Sequence, residues 1–199
     1  MKPAPFLLLL IPLLTGCFGV RYKIPMVLIG DSITAYWASH ADFPAYGWVD
    51  KGIPGQTSEE IEQRFANDVV DVHPKSVHIL AGTNDLYPGW VPQDTYNSLS
   101  SMIAKANAAN IKVYIGTVPP WGQGPSAASY DPNFTEHSLR IVQLNSWIKT
   151  QTGAIVIDYY SLLAGSNGLY NPTMTDDGVH PNAAGYDVMT PEVPLQPSN

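Results

Sequence analysis

Met26-Val27-Leu28-Ile29-Gly30-Asp31-Ser32-Ile33-Thr34 begins with four apolar residues, turns at a glycine and becomes polar. An apolar run this short, closed by glycine, reads as a strand buried on both faces. Ser32 then stands where a helix opens. Working outward, Ser76 to Leu80, Lys112 to Val118 and Ala154 to Asp158 repeat the strand pattern, and Trp48 to Ile53 reads as a further short one. Helical patterns lie between them. Thr57-Ser58-Glu59-Glu60 has the form of a capping box, followed by Ile61, Phe65 and Val69 on one face. Pro92 opens a second helix, with Tyr96, Leu99, Ile103 and Ala106 at helical spacing and Asn110 to close it. Thr135 begins a third, with Ile141, Leu144 and Ile148 inward and Gly153 as its stop. Strand and helix in alternation argue for an α/β fold with a central parallel sheet covered on both faces. The long segment from Pro119 to Phe134, rich in Pro, Gly and Ser, reads as a functional loop.

Composition narrows the function. The 199 residues include 10 Lys+Arg against 17 Asp+Glu, a formal net charge of −7. That leaves no basic surplus to neutralise phosphates, so nucleic acid is excluded as a main partner. At 45% hydrophobic the chain can fill a core. Cys17 is the only cysteine, so no intramolecular disulfide forms. It follows a basic start at Lys2 and the apolar run Phe6 to Leu14, too short and too Pro-interrupted for a permanent membrane helix. Leu14-Thr15-Gly16-Cys17 resembles the bacterial lipobox. The expected organisation is a lipoprotein signal peptide over 1–16, an anchor and linker over 17–25, and one domain over 26–199. Cys17 would be the site of lipid attachment, holding an exported protein to a membrane.

In open parallel sheets ligands bind beyond the carboxyl ends of the strands. The segments there are Gly30-Asp31-Ser32-Ile33, Gly52-Ile53-Pro54-Gly55, Gly82-Thr83-Asn84-Asp85 and, near the C-terminus, Asp177-Gly178-Val179-His180-Pro181. Together they hold what nucleophilic catalysis needs. Ser32 offers a hydroxyl, His180 a base, and Asp177, three residues before it, a carboxylate to fix the imidazole tautomer. The N–H groups of Ser32 and Gly55 and the amide of Asn84 offer donors for an oxyanion. Each residue alone has a plainer reading, as a cap or a turn former. Asp31 and Asp85 read as structural, and so do His40, His73, His78 and His137, which have no partner pattern.

These four blocks, in this order, resemble the SGNH hydrolases, the GDSL-type esterases and lipases. The resemblance spans roughly residues 26–190. It departs from the family at Ile33, where leucine is usual, at Asp50, where many relatives have Asn, and at Gln56, where many have Asp. It implies a flavodoxin-like α/β/α sandwich and ester hydrolysis by Ser32, His180 and Asp177, with Ser32, Gly55 and Asn84 as the oxyanion hole. No metal and no cofactor are implied. The family includes lysophospholipases, thioesterases, arylesterases and carbohydrate acetylesterases, and a surface-tethered enzyme best fits short-chain acyl or acetyl esters. A tethered carbohydrate-binding module without catalysis is the competing class. Trp37, Tyr87, Trp90 and Trp121 fall near the proposed site and are candidates to stack on a sugar or line an acyl groove.

Rival patterns fail. Thr34 stands where an α/β-hydrolase elbow requires glycine. Gly122-Gln123-Gly124-Pro125 has proline where a dinucleotide-binding helix would begin.

Overall fold

The computed structural model describes residues 24–87, 89–122 and 134–195. The signal peptide, Cys17 and most of the segment from Pro119 to Phe134 lie outside the described residues. Five parallel strands form the sheet: β1 (Met26–Gly30), β2 (Trp48–Gly52), β3 (Ser76–Leu80), β4 (Lys112–Gly116) and β5 (Ile155–Ile157). Their order is β2-β1-β3-β4-β5. The chain steps outward from β1 to β2 and then crosses back over β1 to β3. The C-terminal edge of β1 and β3 is therefore the switch point where such sheets bind ligands.

Helices cover both faces, because every residue of β1 and β3 is buried. On one face Val27, Ile29, Val77, Ile79, Val113 and Ile115 pack under α3 (Ser58–Phe65), α4 (Pro92–Ala108) and α5 (Phe134–Ile148). On the other, Met26, Leu28, Leu80 and Tyr114 meet α1 (Ser32–Trp37), α2 (Phe43–Tyr46), α6 (Tyr159–Leu163) and α7 (Ala183–Met189). This is the α/β/α sandwich expected from the sequence. The capping box is present in full: Thr57 accepts from the Glu60 N–H while Glu60 accepts from the Thr57 N–H. Val69 is buried as expected, but on a π-helical turn over Ala66–Val70 that extends α3.

Element ends differ from the sequence reading where side chains replace sheet or helix partners. β4 stops at Gly116 instead of reaching Val118, because both backbone groups of Val118 pair with the Asn145 side chain, at 2.7 and 2.8 Å. β5 ends before Asp158, whose carboxylate caps α6 by accepting from the Ser161 N–H. Gly153 is not the stop of the third helix. α5 ends at Ile148, and the Gly153 carbonyl instead receives the Asn107 amide from α4 at 2.9 Å.

Candidate active site

β1 delivers Ser32 directly. The strand ends at Gly30, the Asp31 carboxylate accepts from the Ile33 N–H at 2.9 Å, and that cap starts α1 with Ser32 as its first residue. The first N–H groups of a helix have no partner within it, so the Ser32 N–H is available as a donor. Ser32 is 8% exposed.

The segment between α6 and α7 brings the base. His180 Nε2 stands 2.9 Å from Ser32 Oγ, and Nδ1 stands 2.6 Å from Asp177 Oδ2. The other Asp177 oxygen accepts from the backbone N–H groups of Val179 and His180, each at 2.8 Å. Thr175 closes the turn, since its hydroxyl donates to the His180 carbonyl at 2.7 Å and accepts from the Gly178 N–H at 2.9 Å. Burial opposes ionisation of Asp177. The hydrogen bonds from the His180 side chain and from the His180 and Val179 backbone outweigh it, and hold the carboxyl well below the usual carboxylate range. An ionised Asp177 keeps the proton of a neutral imidazole on Nδ1, which leaves Nε2 free to accept from Ser32.

The two remaining turns meet each other. Gly55 sits at φ +82°, left-handed backbone that favours glycine. Asn84 lies on a 3₁₀ turn (Thr83–Asp85) just after β3. Its amide donates to the Gln56 carbonyl at 3.0 Å, tying the two turns together, and the same nitrogen carries a second N–H. Asp85, read from the sequence as structural, and Arg64, which no sequence pattern singled out, hold this arrangement. Asp85 accepts from the Ser58 N–H at 2.9 Å, from the Ser58 hydroxyl, and from the Thr95 hydroxyl at 2.9 Å. Arg64 donates to the Gln56 side chain at 2.6 Å and to the Gly30 carbonyl at 3.0 Å, bracing the loops of Ser32 and Gly55 at once. The departures at positions 50 and 56 are thus built into local pairing, with Asp50 accepting from the Gly52 N–H at 2.7 Å.

Ser32, Gly55, Asn84, Asp177 and His180 all line one cavity of about 480 Å³. The candidate aromatic residues divide. Tyr87 and Trp121 line the cavity. Trp37 does not: it is fully buried, with its indole N–H on Thr190 and its ring edge-on to Phe43, Trp48, His78 and Tyr159. Helix α1 starts at the site but turns this residue into the core. Trp90 lines a neighbouring cleft instead. Pro54 and Val179, inside the blocks that carry Gly55 and His180, are also cavity walls, as is Tyr36, which no sequence pattern singled out. The Tyr36 ring lies 5.2 Å from that of His180. His137, expected as structural only, is buried and stacks on Trp121 at 4.0 Å, so it backs the cavity wall.

The fold is that of an α/β/α hydrolase-like sandwich with its cavity at the switch point of the sheet. The chain belongs to the GDSL-like lipase/acylhydrolase family, whose sequence model matches residues 28–188. A crystal structure of a GDSL-like lipase from Bacteroides thetaiotaomicron is 31% identical, with a TM-score of 0.77 over 87% of each chain. An acetylxylan esterase from Geobacillus stearothermophilus shares the fold at 21% identity and a TM-score of 0.64, over 85% of this chain and 94% of that one. An uncharacterized lipoprotein of Bacillus subtilis is 37% identical over 102 residues, 43% of this chain and 41% of the relative. The chain spans well under half the length of the curated relatives it matches.

Proposed function

We propose that the protein hydrolyses short-chain acyl esters through Ser32, His180 and Asp177. The observation behind this reading is the unbroken line from Ser32 Oγ to His180 Nε2 and from Nδ1 to Asp177, inside a cavity also lined by Gly55 and Asn84. His180 takes the hydroxyl proton as Ser32 Oγ bonds to the acyl carbon. The carbonyl oxygen becomes an oxyanion, met by the N–H groups of Ser32 and Gly55 and the Asn84 amide. Collapse breaks the ester bond, and His180 returns its proton to the leaving alcohol. Water, activated by the same imidazole, then releases the acid and restores Ser32. Asp177 stays ionised throughout and balances the imidazolium.

Hydrolysis of p-nitrophenyl esters from acetate to palmitate tests the reading. Ser32→Ala lowers turnover on the order of 10^6-fold, as loss of a triad nucleophile does. Asn84→Ala lowers kcat by roughly 10^2 to 10^3. Near-wild-type turnover in either variant contradicts the mechanism. The wild-type rate peaks at the short esters. Turnover on no ester at all would favour a binding module. The lipid anchor at Cys17 belongs to the same proposal, supported by Leu14-Thr15-Gly16-Cys17 and by a relative described as a lipoprotein.

A further inference from the structure

We propose that Arg64 and Gln56 form a positioning pair that sets the two backbone oxyanion donors, Ser32 and Gly55, in register with each other. This rests on the reading of Ser32 above and adds two residues that act through the donors without touching the ester. The donors lie on separate segments, the Ser32 N–H at the start of α1 and the Gly55 N–H on the loop after β2. An oxyanion is stabilised when its donors converge on one point, and a misplacement of about 1 Å can cost on the order of 10²-fold in rate. Whatever fixes the separation of these two segments therefore acts on the rate.

Packing does not fix it. Ile53, Pro54 and Gly55 are all exposed. Around the position that a Gly55 Cβ would take, no heavy atom of the described residues lies within 4 Å, its chain neighbours aside. Hydrogen bonds hold the loop instead. At its start, the Ile53 N–H donates to the Gly30 carbonyl at 3.0 Å. At its end, the Gln56 carbonyl accepts from the Asn84 amide, and the Gln56 side chain accepts from Arg64 Nε at 2.6 Å. Arg64 Nη2 donates at 3.0 Å to the same Gly30 carbonyl that Ile53 uses. One guanidinium thus spans from the residue just after Gly55 to the end of the strand that delivers Ser32. Its rigid, planar fork of donors fixes directions as well as distances. Arg64 is itself anchored and mostly buried, with its side chain 15% exposed. Its Nη1 donates to Asp68 at 2.8 Å, and Asp68 also accepts from Lys51 of β2 at 3.0 Å.

The test measures kcat and KM on p-nitrophenyl acetate for Arg64→Ala, Gln56→Ala and Gln56→Glu. Acylation and deacylation each pass through an oxyanion, so kcat falls whichever step is slower. Arg64→Ala lowers kcat about 10- to 100-fold and Gln56→Ala about tenfold, with KM moved by less than about threefold. Gln56→Glu restores an acceptor of the same length and recovers kcat to within about threefold of wild type. A loss of less than about threefold in Gln56→Ala overturns the proposal, as does a loss carried by KM or one that Gln56→Glu does not recover. Gln56 is a half-buried loop residue, so its two variants decide the matter if Arg64→Ala does not fold. Persistent turnover by Ser32→Ala would instead strike the reading of Ser32, which separates the two failures.

Discussion

Asp31 is the residue where position and chemistry pull hardest against each other. It caps α1 with one oxygen, and its other oxygen is buried without a protein partner among the described residues. Burial raises its carboxyl to about 7, against the lowering effects of the Ile33 N–H and nearby His180. A carboxyl raised on folding binds protons more tightly in the native state. Its contribution is therefore full below about pH 4 and is lost as pH rises towards 7. Asp31→Asn keeps an acceptor for the cap and cannot ionise. Urea unfolding at a series of pH values should show the variant gaining on wild type between about pH 4 and 7, by up to about 4 kcal/mol, and then running level. Asp177 has the opposite sign: its depressed carboxyl adds stability above the usual carboxylate range and loses it in strong acid. At this scale the sequence was readable where chemistry demands one residue type in one motif. Ser32, Gly55, Asn84, Asp177 and His180 all reach one cavity because each closes a turn beyond a strand or before a helix. Tyr36, Arg64 and His137 were not readable, since stacking and bracing leave no local spacing to recognise.

Helices and strands were legible where the signal is local, and their ends were not. The Thr57 capping box and the Pro92 start are written in adjacent residues. Thr57→Ala should cost about 1 kcal/mol in urea unfolding, the usual value of an N-cap, and loosen the turn that presents Gly55. The end of β4 depends on Asn145, some thirty residues further on, and no local pattern announces such a partner. That side chain is buried and satisfies both backbone groups of Val118, so it acts as a short substitute strand. Asn145→Ala leaves two buried backbone groups unpaired and should cost roughly 2–6 kcal/mol, about 1–3 for each. Because Trp121 follows three residues later and lines the cavity, the same variant should raise KM.

For the whole molecule, the parallel sheet gives the protein two opposite edges, one of which carries the cavity. Every strand runs towards the cavity, so Ile24, just before β1, sits at the opposite edge. Strands of five residues at about 3.3 Å per residue set the two edges roughly 15 Å apart. Among the described residues no helix is long and apolar enough to cross a membrane. A tether through Cys17 would then hold the protein by the edge away from its site, with the cavity facing externally supplied esters. Cys17→Ser should move the protein from the membrane fraction to the soluble one, and unchanged membrane retention would remove the anchor. The most direct test of the central claim is intact-mass analysis after treatment with a fluorophosphonate at neutral pH. The account predicts one adduct per chain, on Ser32, absent in Ser32→Ala and formed far more slowly in His180→Ala. An adduct on any other residue, or equal labelling of Ser32→Ala, would contradict it.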